Sequence, residues 1–239
     1  MDPVDAVLAG TVEPAPFVGR ETEQRQLLAA LEEAASDSRF VVLEGDPGIG
    51  KTRLADELRV QAGARGCQVL WGRSDEGGAA PALWPWLAPL RSLATTTDGL
   101  APAIAGLLDG EVPISAGQGA QVRFELFEAI ATVLEQAGSE RPVVVLLDDL
   151  QWADDASLEL LSFLASRLGR GVLVVVTVRR VEVGHHSGVT DALGELARRR
   201  GSRRILRRGR RSDATASMLA ALDPVVAAAI HERAEGNPF

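Results

Sequence analysis

The chain has 239 residues, of which 46% are hydrophobic and 24% are charged, and this globular composition excludes a disordered or fibrous chain. Its formal net charge of −8 argues against a general nucleic-acid coat, and its single cysteine, Cys67, excludes an internal disulfide and a cysteine-cluster zinc site. No apolar run approaches the about 20 residues of a membrane-spanning helix, and the N-terminus lacks the basic segment of a secretory signal. We therefore expect a cytoplasmic protein with no membrane partner.

The pattern of apolar residues predicts helices and strands in alternation along the chain. Residues 1–16 are rich in proline and alanine and predict a flexible leader. After it, helical spacing alternates with the short apolar runs that are typical of buried strands. The predicted helices are residues 21–35, 52–64, 82–93, 100–108, 121–136, 156–168, 192–200, 213–222 and 224–235. The predicted strands are residues 40–44, 68–72, 143–147, 172–177 and, as the weakest candidate, 203–207.

This order predicts an α/β fold in three layers, with a parallel central sheet that is followed by a few C-terminal helices. We place the α/β domain at residues 17–210, with a helical insert at residues 74–120 where glycines and prolines interrupt the pattern. Residues 211–239 are predicted to begin a C-terminal helical lid. Ligands of such sheets bind at the carboxyl ends of the strands, and the candidate functional residues lie there.

The sequence GDPGIGKT at residues 45–52 matches the P-loop pattern GxxxxGK[ST], or Walker A box, between a predicted strand and a predicted helix. Its glycines let successive backbone N–H groups face one anion, and the helix N-terminus adds positive charge. Lys51, the only lysine in the chain, is predicted to contact the β- and γ-phosphates, and Thr52 to bind Mg²⁺. The alternative is a glycine-rich turn that binds nothing. The residues predicted to bind the nucleotide here are Gly45, Asp46, Pro47, Gly48, Ile49, Gly50, Lys51, Thr52 and Arg53.

A second candidate, VVVLLDD at residues 143–149, has the form of a Walker B box. It places two carboxylates at the end of a buried strand, which we expect to lie next to the P-loop strand. Asp148 is predicted to hold Mg²⁺ through its water shell, and Asp149 to orient or deprotonate the attacking water. Alternatively, one or both aspartates only begin a turn.

Five segments together resemble a known family: FVGR at residues 17–20, GDPGIGKTRLA, WPWLAPLR, VVVLLDDLQWAD and the terminal EGNPF. They resemble the AAA/STAND-class P-loop ATPase domain (AAA/ASCE-type) of large LuxR-type (MalT-like) bacterial transcriptional regulators. The resemblance spans residues 17–239 and implies ATP and Mg²⁺ as cofactors. It also implies self-association, or C-terminal effector modules that this chain lacks.

The resemblance implies roles for further residues. Thr177 and Arg179 resemble a sensor of the γ-phosphate, which would make Arg179 catalytic beside Lys51 and Asp149; the alternative is an exposed arginine beyond a strand. An adenine-flanking box is implied at the N-terminus, although a hydrophobic staple before a helix would also explain it. The residues of this box are Phe17, Val18, Gly19 and Arg20.

The chain departs from the family in two places. Residues 206–211 lack the proline of the usual Gly-Pro-Leu turn, and the chain stops within the EGNPF box, so we expect a fragment of a longer regulator. Residues 198–211 contain nine arginines and no acid. Because no aromatic residues lie among them to stack on bases, we do not expect direct DNA binding by this chain.

Three functions remain open from the sequence. The first is an ATP-binding, slowly hydrolysing regulatory switch, in which ATP and Mg²⁺ order the site around Lys51, Thr52 and Asp148 and hydrolysis releases that state. The second is a P-loop phosphotransferase that acts on a second substrate, with Trp84 and Trp86 in a substrate lid. The third is a non-hydrolysing interaction module that binds nucleotide only for stability.

Overall fold

The computed structural model of the chain describes residues 20–77, 80–96, 101–110, 120–180 and 187–207. The chain divides into two compact units. Glu23–Arg207 form one of them, and Met1–Thr22 together with Arg208–Phe239 form the other, of which residues 20–22 are described. The predicted leader and the two predicted helices beyond residue 207 lie outside the described residues, and the domain boundaries stay predictions.

Helices and strands alternate as the sequence predicts. The helices of the described part are α1 (Glu21–Ala34), α2 (Lys51–Ala64), α3 (Trp84–Ala94), α4 (Pro102–Leu108), α5 (Ala120–Glu140), α6 (Asp155–Arg167) and α7 (Ser187–Arg198). The strands are β1 (Arg39–Gly45), β2 (Gln68–Arg73), β3 (Val143–Asp148), β4 (Val172–Arg179) and β5 (Ser202–Arg207), and a 3₁₀ turn covers Leu150–Trp152.

Most predicted bounds agree within a few residues, but α7 begins at Ser187 and not at residue 192. Val189 is buried and continues the helical spacing of Ala192 and Leu196, so it belongs to the same packed face. The sequence did not predict this first turn of α7, because Gly188 lies in it and glycine is unfavourable inside a helix.

The five strands form one parallel sheet in the order β2-β3-β4-β1-β5. The expectation that the strand of Asp148 lies next to the P-loop strand is therefore wrong, because β4 lies between β3 and β1. β4 is buried over all but its last residue and β3 over its whole length, so both suit a central position, and the apolar pattern does not show which of them lies beside β1. β5 carries three arginines and takes an edge position beside β1.

Helices cover both faces of the sheet, so the predicted three-layer α/β fold is confirmed. Alternate residues of the central strands, such as Val143, Val145 and Leu147, join the core with side chains of α3 to α7. The residues between them, such as Val144 and Leu146, are equally buried. They face the opposite side, where α2 packs beneath β1 to β4.

The helices α3 and α4 lie between β2 and β3 in the chain, within the predicted insert. Trp86 is 1% exposed, and its Nε1 donates a hydrogen bond to the carbonyl oxygen of Ser157 at 3.2 Å. Trp84 is 41% exposed. Trp86 is thus a core residue that joins α3 to α6, and the lid expected for the phosphotransferase alternative does not contain it.

Several arginines of residues 198–211, here called the basic segment, pair with carboxylates or donate to carbonyl groups elsewhere in the chain. Arg203 pairs with Glu33 of α1, and Arg204 pairs with the buried Glu44 of β1. The guanidinium of Arg199 lies 4.9 Å from the ring centroid of Phe40 and donates to the carbonyl oxygens of Ala165 and Leu168 (2.8 Å for the latter). These side chains hold the end of the sheet to its neighbouring helices.

Replacing Arg199 by methionine is expected to lower the free energy of unfolding by about 2–3 kcal/mol, because two carbonyl groups at the end of α6 lose their donor. The side chain is only 14% exposed, and this burial lowers the pKa of its guanidinium from the usual value. Urea unfolding followed by circular dichroism measures the change. Arg198→Met is the matched control, since Arg198 is exposed and pairs with Glu195 one turn earlier; a loss of about 0.5 kcal/mol or less is expected. If both variants lost the same free energy of unfolding, the bonds of Arg199 to the carbonyl groups at the end of α6 would not be stabilising.

Candidate functional site

The P-loop leaves the carboxyl end of β1 and leads into α2. Gly48 and Gly50 have φ angles of 70° and 84°, a left-handed conformation that glycine adopts without steric cost. Ile49 between them is buried, whereas Asp46 and Pro47 are exposed. The buried isoleucine anchors the loop, so its backbone curls at the N-terminus of α2 as the sequence predicts for an anion site.

Lys51, the first residue of α2, is 7% exposed. Its Nζ donates hydrogen bonds to the carbonyl oxygens of Gly45 at 2.9 Å and of Asp46 at 3.0 Å. The same Gly45 carbonyl accepts from the backbone N–H of Arg180 at 3.2 Å. The ammonium is therefore held against the P-loop by the loop's own backbone.

Asp148 ends β3 and is 1% exposed. Its Oδ1 accepts from the hydroxyl of Thr177 at 2.6 Å, and the hydroxyl of Thr52 lies 3.1 and 3.2 Å from Oδ1 and Oδ2. Arg73, at the end of β2, donates to Oδ2 from Nη2 at 2.7 Å. This carboxylate raises the pKa of the Arg73 guanidinium above its usual value. One buried carboxylate thus brings together the ends of β2, β3 and β4 and the start of α2.

Asp149 has a φ of 59° and a ψ of 46°, a left-handed conformation that is uncommon for a residue with a side chain. Its backbone N–H donates to Oγ1 of Thr177 at 2.9 Å. Its Oδ1 accepts from Nε2 of Gln151 at 2.9 Å. Such backbone strain persists where surrounding contacts impose it, and here those contacts come from β4 and the 3₁₀ turn.

Arg179 is the last residue of β4, so it lies within this strand and not beyond it. Its guanidinium carbon lies 5.6 Å from the ring centroid of Trp152, and its Nη2 lies 3.9 Å from a carboxylate oxygen of Glu76. Its backbone N–H donates to Oε1 of Gln151 at 2.9 Å. Thr177 and Arg179 therefore both connect β4 to the segment that follows β3.

The structure brings Lys51, Thr52, Asp148 and Asp149 to the carboxyl edge of the sheet, where Arg179 also ends its strand. Arg53 follows in α2 and is exposed. Phe17, Val18 and Gly19 of the adenine-flanking box lie outside the described residues. Arg20 is buried and belongs to the other compact unit, so the role of this box stays a prediction.

Two residues of the site, Arg73 and Gln151, are absent from the sequence prediction. Arg73 pairs in register with Asp148, so a correct strand order would have placed it at the same sheet edge. The signal for Gln151 is weaker: it is a polar residue two positions after the aspartates, in a segment whose other neighbours, Leu150 and Trp152, are apolar.

Thr52 and Asp148 offer a hydroxyl and a carboxylate within hydrogen-bond distance of each other. Such oxygen ligands suit Mg²⁺, which takes one or two protein ligands and completes its shell with phosphate and water oxygens. Within the ranges that the structure describes, no three histidine, cysteine or acidic side chains cluster as a metal centre. In those same ranges, no helix has both the length and the apolar character needed to cross a membrane.

Comparison with known proteins agrees with this geometry. A family model described as an AAA ATPase domain (AAA_16) matches residues 16–176, which is more than half of the chain. An uncharacterized protein of Rhizobium meliloti (strain 1021) is 26% identical over an alignment of 190 residues that covers 69% of this chain and 18% of that protein. The crystal structure of a Signal Transduction ATPase with Numerous Domains (STAND) protein with a tetratricopeptide repeat sensor, from Pyrococcus horikoshii, has a similar fold. It is 22% identical with a TM-score of 0.51, over 96% of this chain and 30% of that one.

The chain spans less than a third of the length of either of these two relatives. The family match, in contrast, covers both the P-loop and the aspartate pair, which the fold brings to one edge of a parallel sheet. The chain belongs to the AAA ATPase domain family.

Proposed function

We propose that this chain binds ATP with Mg²⁺ and hydrolyses it slowly, as the switch domain of a bacterial transcriptional or signalling regulator. The observation that carries the proposal is the contact between Thr52 of the P-loop helix and Asp148 of β3, beside the buried Lys51. A glycine-rich turn that binds nothing would not explain why Lys51 is buried there or why the carboxylate of Asp148 lies beside Thr52.

The P-loop supplies the phosphate contacts. The backbone N–H groups at the start of α2 point out of the helix, and its macrodipole favours an anion there. Lys51 adds a compact ammonium, which is already turned toward the loop by Gly45 and Asp46. An arginine fork would not fit this position without displacing the loop, which accounts for a lysine in a chain whose other basic residues are all arginines.

Thr52 and Asp148 are the residues that would hold Mg²⁺. Mg²⁺ held by these residues would neutralise negative charge on the phosphates. Asp148 is kept in place by Thr177 of β4, whose hydroxyl donates to Oδ1. Its other oxygen, Oδ2, faces Arg73, so the carboxylate has a fixed orientation on both sides.

Asp149 is the candidate base. In the proposed step its carboxylate takes a proton from water, whose oxygen forms a bond to the γ-phosphorus. The bond from that phosphorus to the β–γ bridging oxygen breaks, and ADP leaves with the electron pair. Asp149 is partly exposed, so water can reach it, whereas Asp148 is buried. The two adjacent carboxylates thus have different environments, which suits a metal ligand and a base.

The regulatory role rests on similarity. The described unit resembles the ATPase domain of a STAND protein that also carries a tetratricopeptide repeat sensor. The segments EGNPF and DDLQWAD resemble those of LuxR-type regulators, in which further modules carry the output. We propose that this chain likewise acts on effector modules or on further copies of itself, through a conformation set by bound nucleotide.

Replacing Asp149 by asparagine is expected to lower ATP turnover by ~100-fold or more while the dissociation constant for ATP stays within about threefold of the wild type, since only the base is lost. Phosphate release with Mg-ATP and no added acceptor measures turnover, and titration with a non-hydrolysable ATP analogue measures binding. Asp109→Asn, at an exposed position after α4, is the matched control.

Each other outcome contradicts part of the proposal. Turnover by the wild type that requires an added phosphate acceptor would instead indicate a phosphotransferase. A wild-type protein that carries stoichiometric ADP and releases no phosphate would indicate a non-hydrolysing module. Full turnover by Asp149→Asn would exclude this residue as the base.

A further inference from the structure

The amide of Gln151 is buried in the 3₁₀ turn, with the residue 7% exposed, and both of its ends are hydrogen-bonded. Nε2 donates to Oδ1 of Asp149, and Oε1 accepts from the backbone N–H of Arg179, each at 2.9 Å. A buried amide with one donor bond and one acceptor bond is fixed in position. Gln151 therefore links the candidate base to the end of β4.

The chemistry of its neighbours fixes which way this amide points. The backbone N–H of Arg179 can only donate, so it must face the amide oxygen. The NH₂ group then faces Asp149, whose carboxylate accepts. Rotating the amide by half a turn would place two donors together at one end and two acceptors at the other. The orientation that delivers a donor to Asp149 is thus imposed by β4.

Asp149 is held at two points, and both lead to the same strand. Its backbone N–H is bonded to Thr177, and its side chain is bonded through Gln151 to Arg179. Its left-handed backbone conformation is uncommon for a residue other than glycine, and these contacts hold Asp149 in it. The bond to Oδ1 removes the free rotation of the carboxylate, which fixes where the other oxygen lies.

We propose that Gln151 is a positioning residue for ATP hydrolysis: it orients the carboxylate of Asp149 toward the attacking water and ties that orientation to Arg179. The inference rests on the proposed function. A misplaced base loses much of its effect even when its chemistry is intact, so the orientation controls turnover and leaves nucleotide binding to the P-loop.

Two variants separate the two bonds. Gln151→Glu keeps the shape and the acceptor for Arg179 but places an oxygen against Asp149, and Gln151→Met removes both bonds. We expect kcat for phosphate release to fall ~10–100-fold in each, with the dissociation constant for a non-hydrolysable ATP analogue unchanged. Binding of ADP with aluminium fluoride and Mg²⁺, a mimic of the transition state, should weaken by a similar factor. Gln136→Glu is the matched control, because it makes the same change of side chain at an exposed position of α5.

A double-variant cycle distinguishes positioning from general stability. If Gln151 acts through Asp149, then adding Gln151→Met to Asp149→Asn should lower kcat by no more than about twofold further. A further fall of tenfold or more, or an equal loss of ATP-analogue binding, would overturn the positioning role. Wild-type kcat in both Gln151 variants would overturn it as well and leave the proposed function standing. A wild-type protein without turnover would overturn the proposed function and this inference together.

Discussion

Replacement of Lys51 by alanine is expected to weaken ATP binding by ~100-fold or more, because a charge-assisted contact to phosphate contributes about 1.5–3 kcal/mol and the ammonium also neutralises the phosphate charge. Lys51 is buried at the start of α2 and bonded to two carbonyl groups of the P-loop, so its ammonium is positioned before nucleotide arrives. Fluorescence titration with a labelled ATP analogue in the presence of Mg²⁺ measures the affinity.

Arg59→Ala is the control for this variant. Arg59 lies on the same helix, is exposed, and pairs with Asp56 one turn earlier, so its removal tests whether loss of any positive charge on α2 has the same effect. We expect its ATP affinity to remain within about twofold of the wild type. If Lys51→Ala kept wild-type affinity, the P-loop would not be the nucleotide site.

Replacement of Gly72 by alanine is expected to lower the free energy of unfolding by about 3 kcal/mol or more, at the upper end of the range for overpacking. A Cβ atom at this position would lie 1.7 Å from the carbonyl oxygen of Pro85 and 3.2 Å from Cδ of Pro89. Both belong to α3, and the nearer one is backbone, so α3 as a whole must move away from β2. Thermal and urea unfolding measure the loss.

The same substitution at Gly63 is the control, because a Cβ atom there meets nothing within 4 Å. Gly63 lies in the last turn of α2, where alanine is the better helix former. We expect Gly63→Ala to raise the free energy of unfolding by about 0.5–1 kcal/mol. Loss of stability in both variants, or in neither, would contradict the close approach of β2 and α3.

The sequence was sufficient to predict the elements of this fold, because buried strands and amphipathic helices have different apolar periods. It predicted the P-loop residues for a similar reason, since Gly48 and Gly50 must adopt φ angles that other residues avoid. The position of β4 between β3 and β1 could not be predicted from the sequence. Both β3 and β4 are continuous apolar runs, and such runs show that a strand is central without showing which strand lies beside it.

Contacts between distant side chains were the hardest to predict. Arg73 reaches Asp148 only because β2 and β3 are adjacent in register, and Gln151 reaches Asp149 only because a left-handed residue turns the chain back. Neither fact follows from composition or spacing. The basic segment shows the same limit, since Arg199 is held by carbonyl groups and a ring from other parts of the chain.

The central place of β4 also constrains the order in which this domain can assemble. The P-loop strand β1 comes first in the chain and β3 comes third, yet within the sheet the two are paired through β4, which follows both. Until residues 172–179 have been synthesised and inserted, β1 and β3 each lack their central neighbour and expose an unpaired edge. Thr177 arrives with the same strand and bonds both aspartates. The pairing that joins β1 to β3 and the contacts that hold the two aspartates therefore depend on the same long-range step, and such steps are slower than the local formation of helices.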